Sequence, residues 1–290
     1  MRNILLALTT ELRRLKSNGM KTVPVTSETV ARLKAAIHTQ ASVSVTAKAV
    51  EPILFSPEIP PAMSRRLPSR PTVDLPQGDK SSRMEWLRNR VQQDPVCRER
   101  VRPGKQVVVG VGNLDAKIFF CGEAPGAEEE IQGEPFVGPA GQLLTRMIVG
   151  MGLKREEVYI GNIMNWRPEL PTAPGREQEG NRPPTPEELN YCLPFLEAQL
   201  QIVNPQVIVA LGSTAAQGLL GAGSFRTLGE IRGHWKLFAE KPVMVTYHPS
   251  YILRNASNRS KRAIWEDLLK VMERVGMTIT EKQQRYFLEK

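Results

Sequence analysis

From about residue 107 the chain alternates short apolar runs with longer amphipathic stretches. Lys117-Ile118-Phe119-Phe120-Cys121, Val158-Tyr159-Ile160, Val207-Ile208-Val209-Ala210-Leu211 and Val243-Met244-Val245-Thr246-Tyr247 lack a polar face. Runs of this length and character predict strands buried on both sides. Val107-Val108-Val109 is a further short strand candidate. Between the runs, helices are predicted over about 139–152, 185–203, 213–220 and 259–275, the first closed by Gly152. Thr185-Pro186-Glu187-Glu188 combines a capping hydroxyl, a proline in the first turn and acids at the positive dipole end. Strands of this kind alternating with helices predict an α/β fold, a three-layer αβα sandwich around a central four-stranded parallel sheet.

The pattern upstream is different. Two short helix-prone pieces lie at about 3–16 and 27–38, and no sustained period follows over 41–80. Seven prolines fall between Pro52 and Pro76, which predicts a disordered linker. Order is expected to resume near Ser81, where Met84, Trp86, Leu87 and Val91 mark an amphipathic helix. The expected organisation is thus a helix-prone segment and Pro-rich linker over 1–80, and one folded domain over 81–290.

Composition narrows the setting. No apolar run in the 290 residues is long enough to cross a bilayer. The stretch Met1–Leu8 lacks a small-residue cleavage site, so a short helix is expected there and not a leader. The expectation is a cytoplasmic, nucleoid-associated protein of bacterial type, monomeric and without a membrane partner. The net charge of +9 favours an anionic partner, nucleic acid above all. Most of the excess lies upstream: residues 1–80 carry 12 Lys and Arg against 6 acids, residues 81–290 carry 27 against 24. A nucleic-acid groove in the folded part would need local clustering, as at Arg254, Arg259, Lys261 and Arg262, a group that also reads as a solvated helix start. Three scattered cysteines, Cys97, Cys121 and Cys192, argue against a disulfide framework, and no CxxC pair signals a metal site.

In open α/β sheets, ligands bind beyond the carboxyl ends of the strands. The residues there are Gly122–Gly126, Gly161-Asn162, Gly212-Ser213 and His248-Pro249-Ser250. His248 can donate to a developing oxyanion, act as an acid or base, or be structural. Glu123 can orient water, stabilise a cationic sugar, or cap a helix. Asn162 suits reading a base edge and equally a turn. Phe136 lies in a glycine-rich loop, where it stacks on a base or plugs the core. No Walker or dinucleotide-binding glycine pattern is present.

The set GEAPGAEEEIQGEPFVGPAGQLL (122–144), VYIGN (158–162), NRPPTPEE (181–188), VIVALG (207–212) and HPSYILR (248–254) resembles uracil-DNA glycosylases of the family-4 type. The resemblance spans about 86–270 and leaves out 1–80. It implies excision of uracil from single- or double-stranded DNA by N-glycosidic hydrolysis. His248 would stabilise the uracil anion, and Glu123 would position water or the oxocarbenium ion. Phe136 would stack on the flipped uracil, and Asn162 would read its polar edge. Gly122, Ala124, Pro125, Gly126 and Ser250 complete the implied substrate-binding set. Ala124 stands where other branches carry a catalytic Asp. Gly126 stands where some relatives have a Tyr that excludes thymine, which leaves Glu129 as the candidate for that task. Tyr251, Ile252 and Leu253 would form a wedge filling the gap left by the flipped base, with Arg254 on the DNA backbone.

One departure changes the picture. The family carries four cysteines that bind an iron–sulfur cluster. Here Cys97 and Cys192 match two of the ligand positions, while Arg100 and Trp166 stand at the other two. The expectation is therefore no metal and no cofactor, with a [4Fe-4S] cluster as the disfavoured alternative. The lost cysteines also admit a weakened or non-catalytic DNA-binding relative. Residues 1–80 are read as a basic arm that adds DNA affinity or docks a replication or repair partner, or as a passive tail.

Overall fold

The computed structural model describes residues 67–173 and 175–288. In chain order its elements are α1 (Lys80–Gln92), α2 (Pro95–Arg100), β1 (Val111–Gly112), β2 (Ile118–Gly122), α3 (Ala127–Gln132), α4 (Pro139–Met151), β3 (Tyr159–Asn162), α5 (Pro186–Val203), β4 (Val207–Leu211), α6 (Ser213–Leu220), α7 (Leu228–Ile231), β5 (Trp235–Phe238), β6 (Lys241–Thr246), α8 (Pro249–Arg254), α9 (Asn258–Arg274) and α10 (Glu281–Gln284).

Four strands pair in parallel in the spatial order β3, β2, β4, β6. These are the four apolar runs of the sequence. Two antiparallel edge strands extend the sheet to six, so it is mixed and not purely parallel: β1 lies against β3 and β5 against β6. Trp235–Phe238 carries no run of buried positions, as expected of an edge, and its pattern does not announce a strand. Val107–Val109 is buried but is not a strand. Val108 N–H donates to the Asn165 carbonyl at 2.8 Å, and the Val108 carbonyl accepts from Asn165 Nδ2 at 3.0 Å. Its backbone is satisfied by one residue, and the ladder begins only at Val111.

Side chains alternate between the two sheet faces, so each parallel strand feeds two cores. Phe119, Cys121, Tyr159, Ile208, Ala210, Val243 and Val245 meet α1, α2, α5 and α6 on one face. Ile118, Phe120, Ile160, Val207, Val209 and Met244 meet α4, α8 and α9 on the other. This is the three-layer αβα arrangement. Leu67, Val73 and Leu75, within the stretch read as linker, pack against the first layer. The helix-prone pieces and the linker up to residue 66 lie outside the described residues.

The expected helix signals act as physical stops and starts. The Thr185 hydroxyl accepts from Glu188 N–H at 3.2 Å, and the Glu188 carboxylate accepts from Thr185 N–H at 2.8 Å, which caps α5 reciprocally. Gly152, at φ +89°, ends α4 in the left-handed region. Inside α4, Gly141 permits contact with the loop before it. A Cβ there would come within 1.8 Å of the Phe136 carbonyl oxygen, a backbone atom with no flexible end to yield. Gly141→Ala is expected to lower stability by about 2 kcal/mol through overpacking, measured by chemical denaturation. An unchanged midpoint would show that the Phe136 loop yields freely.

Candidate active site

The parallel strands end together, and the site is built on those ends. After β2 the turn stays tied to the residues that follow β3. Ile163 N–H donates to the Gly122 carbonyl at 3.1 Å and Met164 N–H to the Glu123 carbonyl at 3.0 Å. Gly122 pairs in register with Asn162. A Cβ on Gly122 would lie 2.3 Å from Asn162 Oδ1 and 2.5 Å from the Phe136 ring. Only glycine lets the carboxamide and the ring meet there.

Phe136 is buried and holds φ +55°, a strained value for an aromatic residue. Its ring centroid is 5.6 Å from that of His248. Glu129 holds the loop in place. One of its oxygens accepts from Val137 N–H at 3.0 Å and Gly138 N–H at 2.9 Å; the other accepts from Gly126 N–H at 3.0 Å. A single carboxylate thus ties the turn after β2 to the loop that presents Phe136.

His248 follows β6 and caps α8. Its Nδ1 accepts the Ser250 backbone N–H at 3.1 Å and lies 2.9 Å from Ser250 Oγ. A nitrogen that accepts a backbone N–H carries no proton, so the neutral ring holds its proton on Nε2. Burial, helped by the nearby Arg254 charge, lowers the imidazole pKa to about 4. Burial acts oppositely on Glu123 and raises its pKa above the usual 4.5, against a hydrogen bond with the Thr214 side chain that lowers it.

Two adjoining cavities open on this rim. One, of about 290 Å³, is lined among others by Gly126, Glu129, Phe136, Asn162 and His248. The second, of about 430 Å³, is lined among others by Glu123, Pro125, Thr214, Tyr247 and Tyr251. Ala124, Asn181, His248, Ser250 and Arg254 border both. In the first, Asn162 Oδ1 is buried and has no hydrogen-bond partner. A buried acceptor left unpaired is costly, and a ligand N–H would satisfy it. A larger apolar groove of about 620 Å³, between α4, α8 and α9, has no imidazole or carboxylate in its lining.

The structure therefore gathers Gly122–Gly126, Glu129, Phe136, Asn162, His248, Ser250 and Arg254. It divides the three wedge residues. Ile252 is buried in the core, Tyr251 is half-buried, and Leu253 is 48% exposed. Ile252 thus packs into the core, and Leu253 is the exposed apolar tip of the three. Sequence reasoning missed Asn181, Thr214, Tyr247 and Arg167. Buried Arg167 donates to Asn181 Oδ1 at 2.7 Å, to Glu130 Oε1 at 2.9 Å and to the Gly180 carbonyl at 2.7 Å. It thereby fixes the 165–185 loop that presents Asn181. Thr214 follows the Gly212-Ser213 strand end, which was a usable signal; Arg167 sits in a loop with no local period and gave none.

The residues present do not fit a four-cysteine cluster. Cys97 and Cys192 are buried neighbours, their thiols pushed up in pKa chiefly by burial. Trp166 is fully buried and meets the Tyr191 ring edge-on at 6.3 Å. The Tyr191 hydroxyl donates to Asp94 at 3.0 Å, and Asp94 caps α2 through the Val96 and Cys97 amides. Cys121 lies in β2 within the sheet. Among the described residues, no group of three or more His, Cys, Asp or Glu side chains is placed to hold a metal ion.

An α/β sheet with a small cavity at its strand ends, an aromatic wall, an unpaired carboxamide and a neutral imidazole defines a class of protein that accepts a planar polar heterocycle. Residues 109–269 match the model of the uracil DNA glycosylase superfamily. The Type-4 uracil-DNA glycosylase of Thermotoga maritima is 44% identical over 190 residues, which cover 64% of this chain and 92% of that protein. The Type-4 uracil-DNA glycosylase of Archaeoglobus fulgidus is 36% identical over 212 residues, 70% of this chain and 98% of that one. A Type-5 uracil-DNA glycosylase of Thermus thermophilus is 29% identical over 177 residues, 59% and 81% respectively. The chain belongs to the uracil DNA glycosylase superfamily.

The Glu129 tie is testable without substrate. Glu129→Ala leaves three backbone N–H groups without their acceptor and is expected to cost about 2 kcal/mol. Glu129→Gln, which keeps one carbonyl oxygen, should recover part of that. Equal denaturation midpoints for wild type and the alanine variant would refute the tie.

Proposed function

We propose that this chain is a monofunctional uracil-DNA glycosylase of the family-4 kind, acting in DNA repair and leaving an abasic site. The observation that carries the site assignment is the buried, unpartnered Asn162 oxygen beside Phe136 and the neutral His248. Uracil offers an N3–H to that oxygen and an O4 to the Asn162 amide. Cytosine presents an unprotonated N3 and an amino group, so both contacts fail. Phe136 stacks on the base. Glu129, fixed by three amides, and Gly126 form the wall against which a thymine methyl would press.

In the reaction, the C1′–N1 bond breaks and its electron pair passes to the uracil, spreading to O2. His248 Nε2–H donates to that oxygen, and Ser250 keeps the proton on Nε2. The Glu123 carboxylate faces the cationic sugar, orients a water onto C1′ and takes its proton. Each polar contact strengthens as charge develops, which is the condition for lowering the barrier. Leu253 is the tip that enters the gap left by the flipped base, with Arg254 at the backbone. No step needs a metal or organic cofactor. The protein acts as a monomer in the cytoplasm.

Uracil release from a single-stranded oligonucleotide tests this. His248→Ala is expected to lose about 10²–10³ in rate, and Glu123→Ala about 10². The carboxylate must be ionised, and burial raises its pKa. Activity should therefore fall as pH drops through a value above 4.5, while His248 stays neutral until about pH 4. Glu123→Gln should abolish that acid limb and leave a flat, weak profile. Full activity in both alanine variants, or a limb unmoved in Glu123→Gln, would sink the assignment.

The donor set near α2 and α5 supports a scaffold without a cluster. Protein purified anaerobically is expected to hold no stoichiometric iron and to melt at the same temperature with and without chelator. Trp166→Ala should cost about 3–5 kcal/mol as a cavity forms. Iron at four atoms per chain would overturn this.

A further inference from the structure

The second cavity has a feature that excision itself does not use. The rings of Tyr247 and Tyr251 are stacked, with centroids 4.4 Å apart and planes 13° from parallel. Both line the 430 Å³ groove. The Arg232 guanidinium lies over the Tyr247 ring at 5.3 Å. That cation is itself fixed, donating to both Asp267 carboxylate oxygens at 2.8 Å and to the Ala263 carbonyl at 2.7 Å. The Thr246 hydroxyl donates to Asp267 at 2.6 Å, which joins the end of β6 to α9. Neither tyrosine hydroxyl has a hydrogen-bond partner among the described residues.

A cation, a ring and a second ring in sequence form a ladder set before any ligand arrives. The rest of the groove lining mixes three prolines, Pro125, Pro168 and Pro183, with polar side chains such as Arg182 and Thr214. Arg254 and Asn181 stand where this groove meets the smaller cavity. We propose that the outer face of Tyr251, backed by Tyr247, forms with its groove a second nucleobase subsite, which stacks the unpaired base next to the excised one in the same strand. The inference rests on reading the smaller cavity as the uracil pocket. The occupant follows from continuity: five residues border both cavities, so a strand with its uracil in one runs directly past the other. Stacking of this kind tolerates any base, because every base has a π-face. Tyr247 and Arg232 are positioning residues here, since they act through Tyr251.

The test uses the full chain and short single-stranded oligonucleotides with one uracil. In two of them, the 5′ or the 3′ neighbour is replaced by a tetrahydrofuran spacer that keeps sugar and phosphate but lacks the base. For wild type, the half-saturating concentration is expected to rise on the order of tenfold with the spacer on one side, while the single-turnover rate at saturation holds. Tyr251→Leu should bind intact and spacer oligonucleotides equally, at the wild-type spacer level; Tyr251→Phe should restore the dependence. Tyr247→Leu, which removes the support behind Tyr251, gives a second route if Tyr251→Leu does not fold, and the wild-type series stands without either. Equal half-saturation by wild type on all three oligonucleotides would overturn the subsite alone. No release from any of them would overturn the uracil pocket on which it rests.

Discussion

The site depends on one register contact, the pairing of Gly122 with Asn162 at the ends of two adjacent parallel strands. The missing side chain at Gly122 is the space in which the Asn162 carboxamide and the Phe136 ring come together. Gly141 does the same one layer out, letting α4 press on the backbone of Phe136. The aromatic wall is thus held between two glycines and tied by Glu129, which explains how a phenylalanine stays at positive φ. Strain of this kind persists where the surroundings over-determine it.

Burial then sorts the two ionisable groups into different tasks. It disfavours charge on both, which keeps His248 neutral and makes Glu123 harder to ionise. In the proposed reaction this suits the imidazole, since a neutral ring with its proton fixed on Nε2 is already a donor to a leaving anion. For the carboxylate it is a compromise. The Thr214 hydrogen bond offsets part of the desolvation and leaves a charge that is least screened where a cationic sugar would form.

The four central strands and the long helices were legible because their patterns are local: continuous apolar runs, a reciprocal cap at Thr185, a glycine stop at Gly152. The rim was legible from topology, since strand ends in a parallel sheet converge whatever the side chains are. What escaped has a common cause. Val107–Val109 is as apolar as any strand, but its backbone is satisfied by Asn165 in a distant loop. Ile252 and Leu253 are adjacent and alike, and only the seating of α8 on the core decides which one is exposed. Arg167 and Asn181 lie 14 residues apart in a Pro- and Gly-rich loop, and their bond follows from the path of that loop, which no periodicity encodes.

The two cysteines and their replacements lie on one face of the sheet, while the core beneath the Phe136 wall lies on the other. The chemistry of the first face is therefore separated by the sheet from the Phe136 cavity. One route between them remains. Trp166 precedes Arg167, and Arg167 holds Asn181 at the border of both cavities. The segment is held by its own side chains. Asn165 bonds to Val108, Trp166 packs on Tyr191, and Arg167 binds the buried Glu130. Three successive side chains anchored in three directions leave the loop little freedom, so Arg167 is held where it bonds Asn181.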